Sequence, residues 1–441
     1  MSRIRAVLVA CVVLVAAPAF GASPDPKDLA VSPVELSKAR ELVRRLGSEA
    51  YREREEAQAE LAKMGRLARQ AVAEGAATDI DPEIRLRCAR LLPKASSDDL
   101  KARIDTFLAD TEGKHQHDLP GLKSFRKSVG ADEKARALYV EILKSPYNLD
   151  MLAAMDKGDT EGGRAISDRR SAMYNDMQHR QFVQGSKPFV PKQPTLGDIA
   201  ALLFAETQIS SEHIAKNGVW NWVNGAQFIQ QPASATALSN AGAVHADAYK
   251  VIVGQWLANR TDPQELQNLS YQLGQPPLRQ FKEALPLLRR IILADGVQGY
   301  AKGQALNALI QQRGKEEMPF LKTLMNNDTL IQQVWFGRPN GQAEMHSCLM
   351  KDVALAYLIT QAGGKITDYG FETPPGQIIN PGQIGFGQYA FTSEEKRAAG
   401  FMKYGWKQLK DGIDPPKEAP KDAPKDGPKP APVPSTIPPP K

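Results

Sequence analysis

The sequence predicts an all-α fold, an α-solenoid of short antiparallel helix hairpins that can be divided into two halves. Three observations favour this class. Ala, Leu, Gln and Lys are plentiful whereas aromatic residues make up only 7% of the chain, and unbranched side chains lose little entropy in a helix. Helix starts are clearly marked, and the apolar residues after them are spaced by three and four positions rather than by two. Finally, four segments repeat one pattern of basic, small and leucine residues.

The helix starts are predicted from side chains that can accept the unpaired amide hydrogens of a first helical turn. In residues 33–46 the apolar spacing then predicts a buried face of Leu36, Ala39, Leu42 and Leu46. In residues 98–108 it predicts a second buried face. That face comprises Leu100, Ile104, Phe107 and Leu108. The candidate starts are Ser32-Pro33-Val34-Glu35, Asp81-Pro82-Glu83, Asp262-Pro263-Gln264-Glu265, Ser96 with Asp99, Thr195 with Asp198, and Thr392 with Glu395.

The repeated pattern describes one kind of packed helix, in which a small residue admits a neighbouring helix and a leucine fills the core. Glycine can end such a helix. The four copies are Arg54-x-x-Ala57-x-x-x-Leu61 before Gly65, Arg85-x-x-Cys88-x-x-x-Leu92, Lys302-x-x-Ala305-x-x-x-Leu309 before Gly314, and Lys351-x-x-Ala354-x-x-x-Leu358 before Gly363.

Residues 54–65 and 304–324, with Pro319 opening a second helix, resemble HEAT repeats. Lys351 to Ala356 and the later Asp368-Tyr369-Gly370 are similar to secreted HEAT-like proteins of planctomycete-type bacteria. The resemblance covers 33–148 and 260–372. It implies an armadillo-like helical fold and export, and it supplies no catalytic residues.

Composition divides the chain into five parts. We expect a signal peptide in 1–22, an N-terminal HEAT-like region in 23–148, an irregular helical segment and linker in 149–194, a C-terminal HEAT-like region in 195–412, and a disordered Pro/Lys-rich tail in 413–441. The linker composition is concentrated in 183–194. Eleven of the last 27 residues are proline, which favours extended polyproline-like coil.

The leader predicts a periplasmic or extracellular protein. Arg3 and Arg5 precede an apolar run over residues 6–17, and Ala19-Phe20-Gly21 offers small residues for cleavage. The run is shorter than the ~20 residues that span a bilayer, which favours a cleaved leader over an uncleaved anchor. No other stretch of the sequence is long and apolar enough to span a membrane, so we expect no membrane span after the leader is removed. The net charge is +6, of which the leader and the tail contribute +4. The remaining +2 shows no basic stripe of the kind that nucleic-acid binding requires.

His115-Gln116-His117-Asp118 is the densest polar cluster of the sequence. Two imidazoles and a carboxylate could hold a metal ion and support a metal-dependent hydrolase. A zinc site needs further ligands at suitable spacing, and neither His-Glu-x-x-His nor paired Cys-x-x-Cys is present. The alternative is a polar connector between helices, in which Asp118 caps the next helix.

His346-Ser347-Cys348 could pair a thiol nucleophile with a base. The apolar neighbours Met345, Leu349 and Met350 favour a packed helix face instead, because a reactive cysteine needs a basic and partly exposed setting. We expect Cys88 and Cys348 to be buried without a disulfide. The Gly-rich segment at 363–365 lacks the residues of a phosphate loop, and the sequence predicts no cofactor.

The most unusual aromatic cluster is Val219-Trp220-Asn221-Trp222-Val223. Trp220 and Trp222 could stack on sugars or fill a pocket of a partner, or they could pack in the core. They are the best candidates for a recognition site.

The sequence therefore predicts a non-catalytic protein-binding or scaffold protein with an unidentified protein or peptide partner, because stacked helix pairs offer a long curved binding surface. Two other functions stay open. One is the metal-dependent hydrolase that uses His115, His117 and Asp118. The other is an envelope structural protein that contacts cell-wall polysaccharide.

Overall fold

The computed structural model describes residues 25–178, 192–214, 223–240, 242–337, 343–372 and 386–410. The chain is mostly helical, which confirms the predicted all-α class. The α-helices are α1 (Pro33–Arg45), α2 (Tyr51–Met64), α3 (Arg69–Thr78), α4 (Pro82–Ala109), α5 (Leu122–Ser128), α6 (Glu133–Leu143), α7 (Pro146–Met155), α8 (Asp159–Gln178), α9 (Leu196–Gln208), α10 (Gly225–Ile229), α11 (Pro232–Ser239), α12 (Ala246–Ala258), α13 (Pro263–Ser270), α14 (Ala284–Leu293), α15 (Gly299–Arg313), α16 (Met318–Thr323), α17 (Met350–Gln361) and α18 (Glu394–Lys410).

Short 3-10 helices and one antiparallel strand pair complete the described elements. The 3-10 helices are Pro26–Leu29, Gly65–Ala68, Leu278–Gln280, Gly314–Glu317, Ile366–Tyr369 and Phe386–Tyr389. Strand β1 (Leu330–Gly337) pairs with β2 (Ala343–Leu349), and we call this pair the ribbon. No helix among the described residues is long and apolar enough to cross a membrane.

Residue contacts divide the chain into two compact units. Unit 1 comprises the described residues up to Glu265 together with Gln280–Leu287. Unit 2 comprises Leu266–Arg279 together with the described residues from Leu288 onwards. This boundary differs from the one expected at 183–194, because α6, α7 and α8 pack against α9, which follows that segment.

Helices α1 to α4 of unit 1 pack around one apolar cluster. Its buried members are Ala39, Leu42, Val43, Leu46, Ala57, Leu61, Ala68, Ala71, Val72, Ile84 and Cys88. The predicted face of α1 is confirmed, with Leu36 partly buried at its edge. Gly75 allows α3 to approach α4, because a Cβ atom there would lie 2.8 Å from the Cys88 Sγ.

The same local turn joins two helices in each unit. Gly65 ends α2 and Gly314 ends α15, both with φ 54° and ψ −121°. A 3-10 helix and a further α-helix follow in each case. This backbone conformation favours glycine, because a residue with a Cβ atom would be sterically strained in it. The predicted glycine helix ends at these two positions are confirmed, whereas the solenoid arrangement stays a prediction.

Helix α9 is the buried centre of unit 1. Every residue from Gly197 to Glu206 is buried, as expected of a helix with apolar residues on every side. Its start is the predicted capping box, in which the Thr195 Oγ1 accepts from the Asp198 N–H. The Asp198 carboxylate also pairs with the Arg169 Nη2 at 2.6 Å.

A buried ion network joins α8, α9, α12 and α13. The Glu206 Oε1 accepts from the Arg170 Nε at 2.6 Å, and its Oε2 accepts from the Trp256 Nε1 at 2.5 Å. The Glu265 carboxylate accepts from both Arg170 and Arg260 at 3.1 Å. The two carboxylates of this network therefore balance the charge of its two guanidinium groups inside unit 1.

Helix α17 is buried in unit 2 in a similar way. The Asp352 carboxylate near its start accepts from the Leu349 N–H, and it also accepts from the Arg397 Nε and Nη2 at 2.9 and 3.1 Å. The ribbon precedes α17 and packs its apolar face, which includes Val334, Phe336 and Cys348, into the unit.

Three local predictions are wrong. Ser96 and Asp99 do not start a helix, because α4 continues through them and Asp99 pairs with the Arg103 Nε at 2.9 Å. The cap of α18 is Ser393 rather than Thr392, since the Ser393 Oγ accepts from the Lys396 N–H. Leu108 is exposed, whereas the neighbouring Phe107 is buried as predicted.

Candidate functional site

The predicted polar cluster lies in the loop between α4 and α5, and its most buried member is His117. The His117 Nε2 lies 3.0 Å from the Asp110 Oδ2, and only 2% of the imidazole is exposed. The ring also meets the Phe107 ring edge-on, with 5.3 Å between the centroids. His117 is therefore held in one orientation by a carboxylate on one side and an aromatic ring on the other.

Asp110 organises the loop around this histidine. Its carboxylate also accepts from the backbone N–H groups of Lys114 and His115, at 2.9 and 3.0 Å. Burial alone would raise the pKa of Asp110, but the hydrogen bonds from the His115 N–H, the His117 ring and the Lys114 N–H outweigh it and hold the pKa below its ordinary value. Because the carboxylate stays ionised, it favours the His117 tautomer that carries its proton on Nε2.

The carbonyl groups at the end of α4 are bound by one arginine. The Arg136 guanidinium donates to the carbonyl oxygens of Asp110 and Phe107, and to that of Leu108 at 3.0 Å. It also lies over the Phe107 ring, 4.7 Å from the centroid. The base of the His117 loop is thus fixed by α6, which carries Arg136.

The other members of the predicted cluster point elsewhere. The His115 Nδ1 lies 3.9 Å from the Asp25 Oδ1. The exposed Asp118 carboxylate accepts from the Arg103 Nη1 at 2.9 Å. The expected capping role of Asp118 is wrong, because α5 begins after Gly121, whose N–H donates to the Asp156 carboxylate.

A cavity of about 210 Å³ brings His117 and Asp118 together, without His115. Its other lining residues are Pro26, Leu29, Ala30, Asp99 and Arg103. Within the described ranges, no group of three or more His, Cys, Asp or Glu side chains is placed to hold a metal ion.

The His346-Ser347-Cys348 segment lies in β2, and the expectation of a helix face is wrong. Cys348 is buried, its Sγ lies 3.6 Å from the Tyr389 carbonyl oxygen, and burial raises the pKa of the thiol. Burial likewise raises the pKa of Cys88 to about 11. Both cysteines are free and buried, which confirms the sequence prediction for them and favours unreactive thiols.

Trp220 and Trp222 lie outside the described residues. A different tryptophan is exposed on the ribbon: Trp335 lies directly opposite Met345 in the strand register, and they are 63% and 48% exposed. The sequence reasoning missed this pair because it assigned the region to helix. A signal was present, since Asn340-Gly341 between two apolar stretches is typical of a β-hairpin.

The Trp335–Met345 pair occupies the solvent face of the ribbon, while Val334 and Phe336 on the other face are buried. Phe336 also meets the His346 ring edge-on at 5.4 Å. The exposed pair therefore lies on one face of the ribbon, and the opposite face packs against the core of unit 2.

Comparison of the chain with protein-family models, with curated proteins and with solved structures gives no match.

Proposed function

We propose that this chain is an exported, non-catalytic protein that binds a protein partner through the solvent face of the ribbon, with Trp335 and Met345 at the centre of the contact. The observation that carries the proposal is that these two large side chains are exposed directly opposite each other on a short strand pair whose other face is packed into unit 2. Aromatic residues and Met are enriched in protein interfaces, and Met adapts its shape to different partners.

The size of the exposed surface supports this role. A large aromatic side chain can bury up to ~250 Å², so the 63% exposure of Trp335 corresponds to ~150 Å². At ~25 cal/mol per Å², covering it would contribute ~4 kcal/mol. A standard interface covers ~800 Å² on each partner, so the pair would form a central contact within a larger polar surround.

Two of the ionisable side chains that the sequence singled out make contacts within the fold. His117 is bound to Asp110, and Asp118 is bound to Arg103. These contacts position the loop between α4 and α5. Trp335 and Met345 on the ribbon instead expose apolar surface, and burying that surface against a partner would be favourable.

The test is photo-crosslinking in an envelope extract of the producing organism, with the crosslinker in place of Gln333, which is exposed on the ribbon. The expected result is one predominant crosslinked protein that disappears in the Trp335→Ser, Met345→Ser double variant. The matched control is Val244→Ser, since Val244 is an exposed apolar residue of unit 1. A crosslink that survives the double variant, or the absence of any crosslink, would contradict the proposal.

The two other predicted functions give different results in separate assays. A hydrolase that uses His115, His117 and Asp118 requires a stoichiometric metal ion in the purified protein, which elemental analysis measures. A polysaccharide-binding protein would sediment with cell walls, and removal of residues 415–441 would release it if the tail makes the contact.

A further inference from the structure

Two tyrosines form an exposed aromatic surface on unit 2, which we call the tyrosine slot (Tyr271 and Tyr300). Tyr271 follows α13 and Tyr300 lies in the first turn of α15. Their ring centroids are 6.3 Å apart with 33° between the planes. They are 48% and 41% exposed, so both side chains are accessible to solvent.

The slot is supported from the interior of the unit. The Phe386 ring, which is buried, meets Tyr300 edge-on with 5.5 Å between the centroids. The backbone at Gly299 lies against β1, because a Cβ atom there would be 1.7 Å from the Leu330 carbonyl oxygen.

Adjacent exposed aromatic rings are the surface on which proline-rich segments dock, because a polyproline II helix is already ordered and loses little entropy on binding. The chain carries such a segment. Residues 428–441 contain seven prolines, ending in Pro438-Pro439-Pro440.

We propose that residues 428–441 of the same chain dock on the tyrosine slot in a polyproline II conformation. Helix α18, which belongs to the same unit, ends at Lys410. Residues 411–427 therefore serve as the tether. An extended proline-rich tether of this length reaches ~50 Å, and a unit of this size has a radius of gyration of ~15 Å. The tether is long enough to reach the slot.

Tethering also makes a weak contact sufficient. A segment on a short tether has an effective concentration in the millimolar range. A site with millimolar affinity for a free peptide would thus already be occupied about half of the time by the tethered segment. This inference is independent of the partner contact proposed above, because it involves neither Trp335 nor Met345 and has a different occupant.

The test uses the full chain with a dye on Ser435→Cys and with Cys11→Ser. Cys88 and Cys348 are buried and should not react with the dye. Fluorescence anisotropy reports whether the labelled segment is docked. The expected result is a high anisotropy that falls to that of the free labelled peptide in the Tyr271→Ala, Tyr300→Ala variant. An excess of unlabelled peptide of residues 428–441 should lower it in the same way.

The matched control is Tyr51→Ala, Tyr147→Ala, since both are exposed tyrosines of unit 1. This control should leave the anisotropy unchanged, and far-UV circular dichroism should show the same helix content in all variants. Anisotropy that is already low in the parent chain, or that is unaffected by loss of the slot, would overturn the proposal. A fall on tenfold dilution would overturn the assignment to the same chain and indicate the tail of a second copy.

Discussion

Replacing Glu206 by Gln tests whether the buried network of unit 1 is balanced in charge. Glu206 is enclosed and binds Arg170 and Trp256 through its two carboxylate oxygens. Glutamine keeps the shape but removes the charge, which leaves two buried arginines with Glu265 as the remaining carboxylate of the network. It also turns one acceptor oxygen into an NH₂ donor, which must then face another donor.

The expected cost is large. Removing one partner of a buried ion pair typically costs ~3–5 kcal/mol, which is a considerable part of the ~5–15 kcal/mol that stabilises a folded protein. Hydrogen exchange of the amides in α9, read by mass spectrometry, gives the local effect. Since each ~1.4 kcal/mol is a factor of ten, protection should fall by ~10²–10⁴-fold.

A second substitution distinguishes charge balance from packing. Arg170→Gln combined with Glu206→Gln leaves Arg260 and Glu265 as a neutral pair. The double variant should therefore lose less than the sum of the two single variants, with a coupling of ~0.5–3 kcal/mol. Glu161→Gln, on the exposed side of α8, is the control. A loss in Glu206→Gln as small as in this control would refute the reasoning.

Three further predictions concern Asp110, Gly197 and Gly405. The depressed pKa of Asp110 means that its stabilising contribution is present above the ordinary Asp pKa and is lost as the pH falls below it. Between about pH 5 and pH 2, the free energy of unfolding of the parent should thus fall more steeply than that of Asp110→Asn, measured by urea titration, and parallel curves would contradict this. Gly197→Ala should destabilise unit 1, because its Cβ would stand 2.4 Å from the Glu141 carbonyl oxygen. Gly405→Ala, with no atom near its Cβ, should instead stabilise helix α18 by ~0.5–1 kcal/mol, and equal melting shifts would count against this account.

The sequence was informative wherever the determining contact is local. The caps at Ser32, Asp81 and Thr195 each involve residues two or three positions apart, so the pattern alone predicts them. The repeated pattern also predicted buried alanines and leucines, and this is confirmed at Ala57, Leu61, Ala305 and Leu309. Apolar spacing reports which side of a helix is buried, whatever that side packs against.

The ribbon could not be separated from a helix by the same reasoning. Ile331, Val334 and Cys348 are buried, and a short apolar stretch of this kind has no decisive period. The pairing of β1 with β2 decides the structure, and that pairing is a tertiary contact. The predicted helical face of His346 and Cys348 failed for this reason.

The loop of His117 shows a different limit of the sequence. His115, His117 and Asp118 are adjacent in sequence, which suggested a shared site. Each side chain instead takes a partner from another part of the chain: Asp25 for His115 and Arg103 for Asp118. The carboxylate that binds His117 is Asp110, at the end of α4, and sequence spacing did not indicate it.

The contrast between charged and apolar side chains carries the functional argument. A buried charge costs several kcal/mol unless it is paired, so the ion pairs of Glu206 and of Asp352 are explained by stability alone. Trp335 and Met345, which lie opposite each other, stay 63% and 48% exposed, so the fold buries only part of their surface. Covering them would release free energy that folding leaves unused. The recognition role that we propose for the ribbon would cover both side chains.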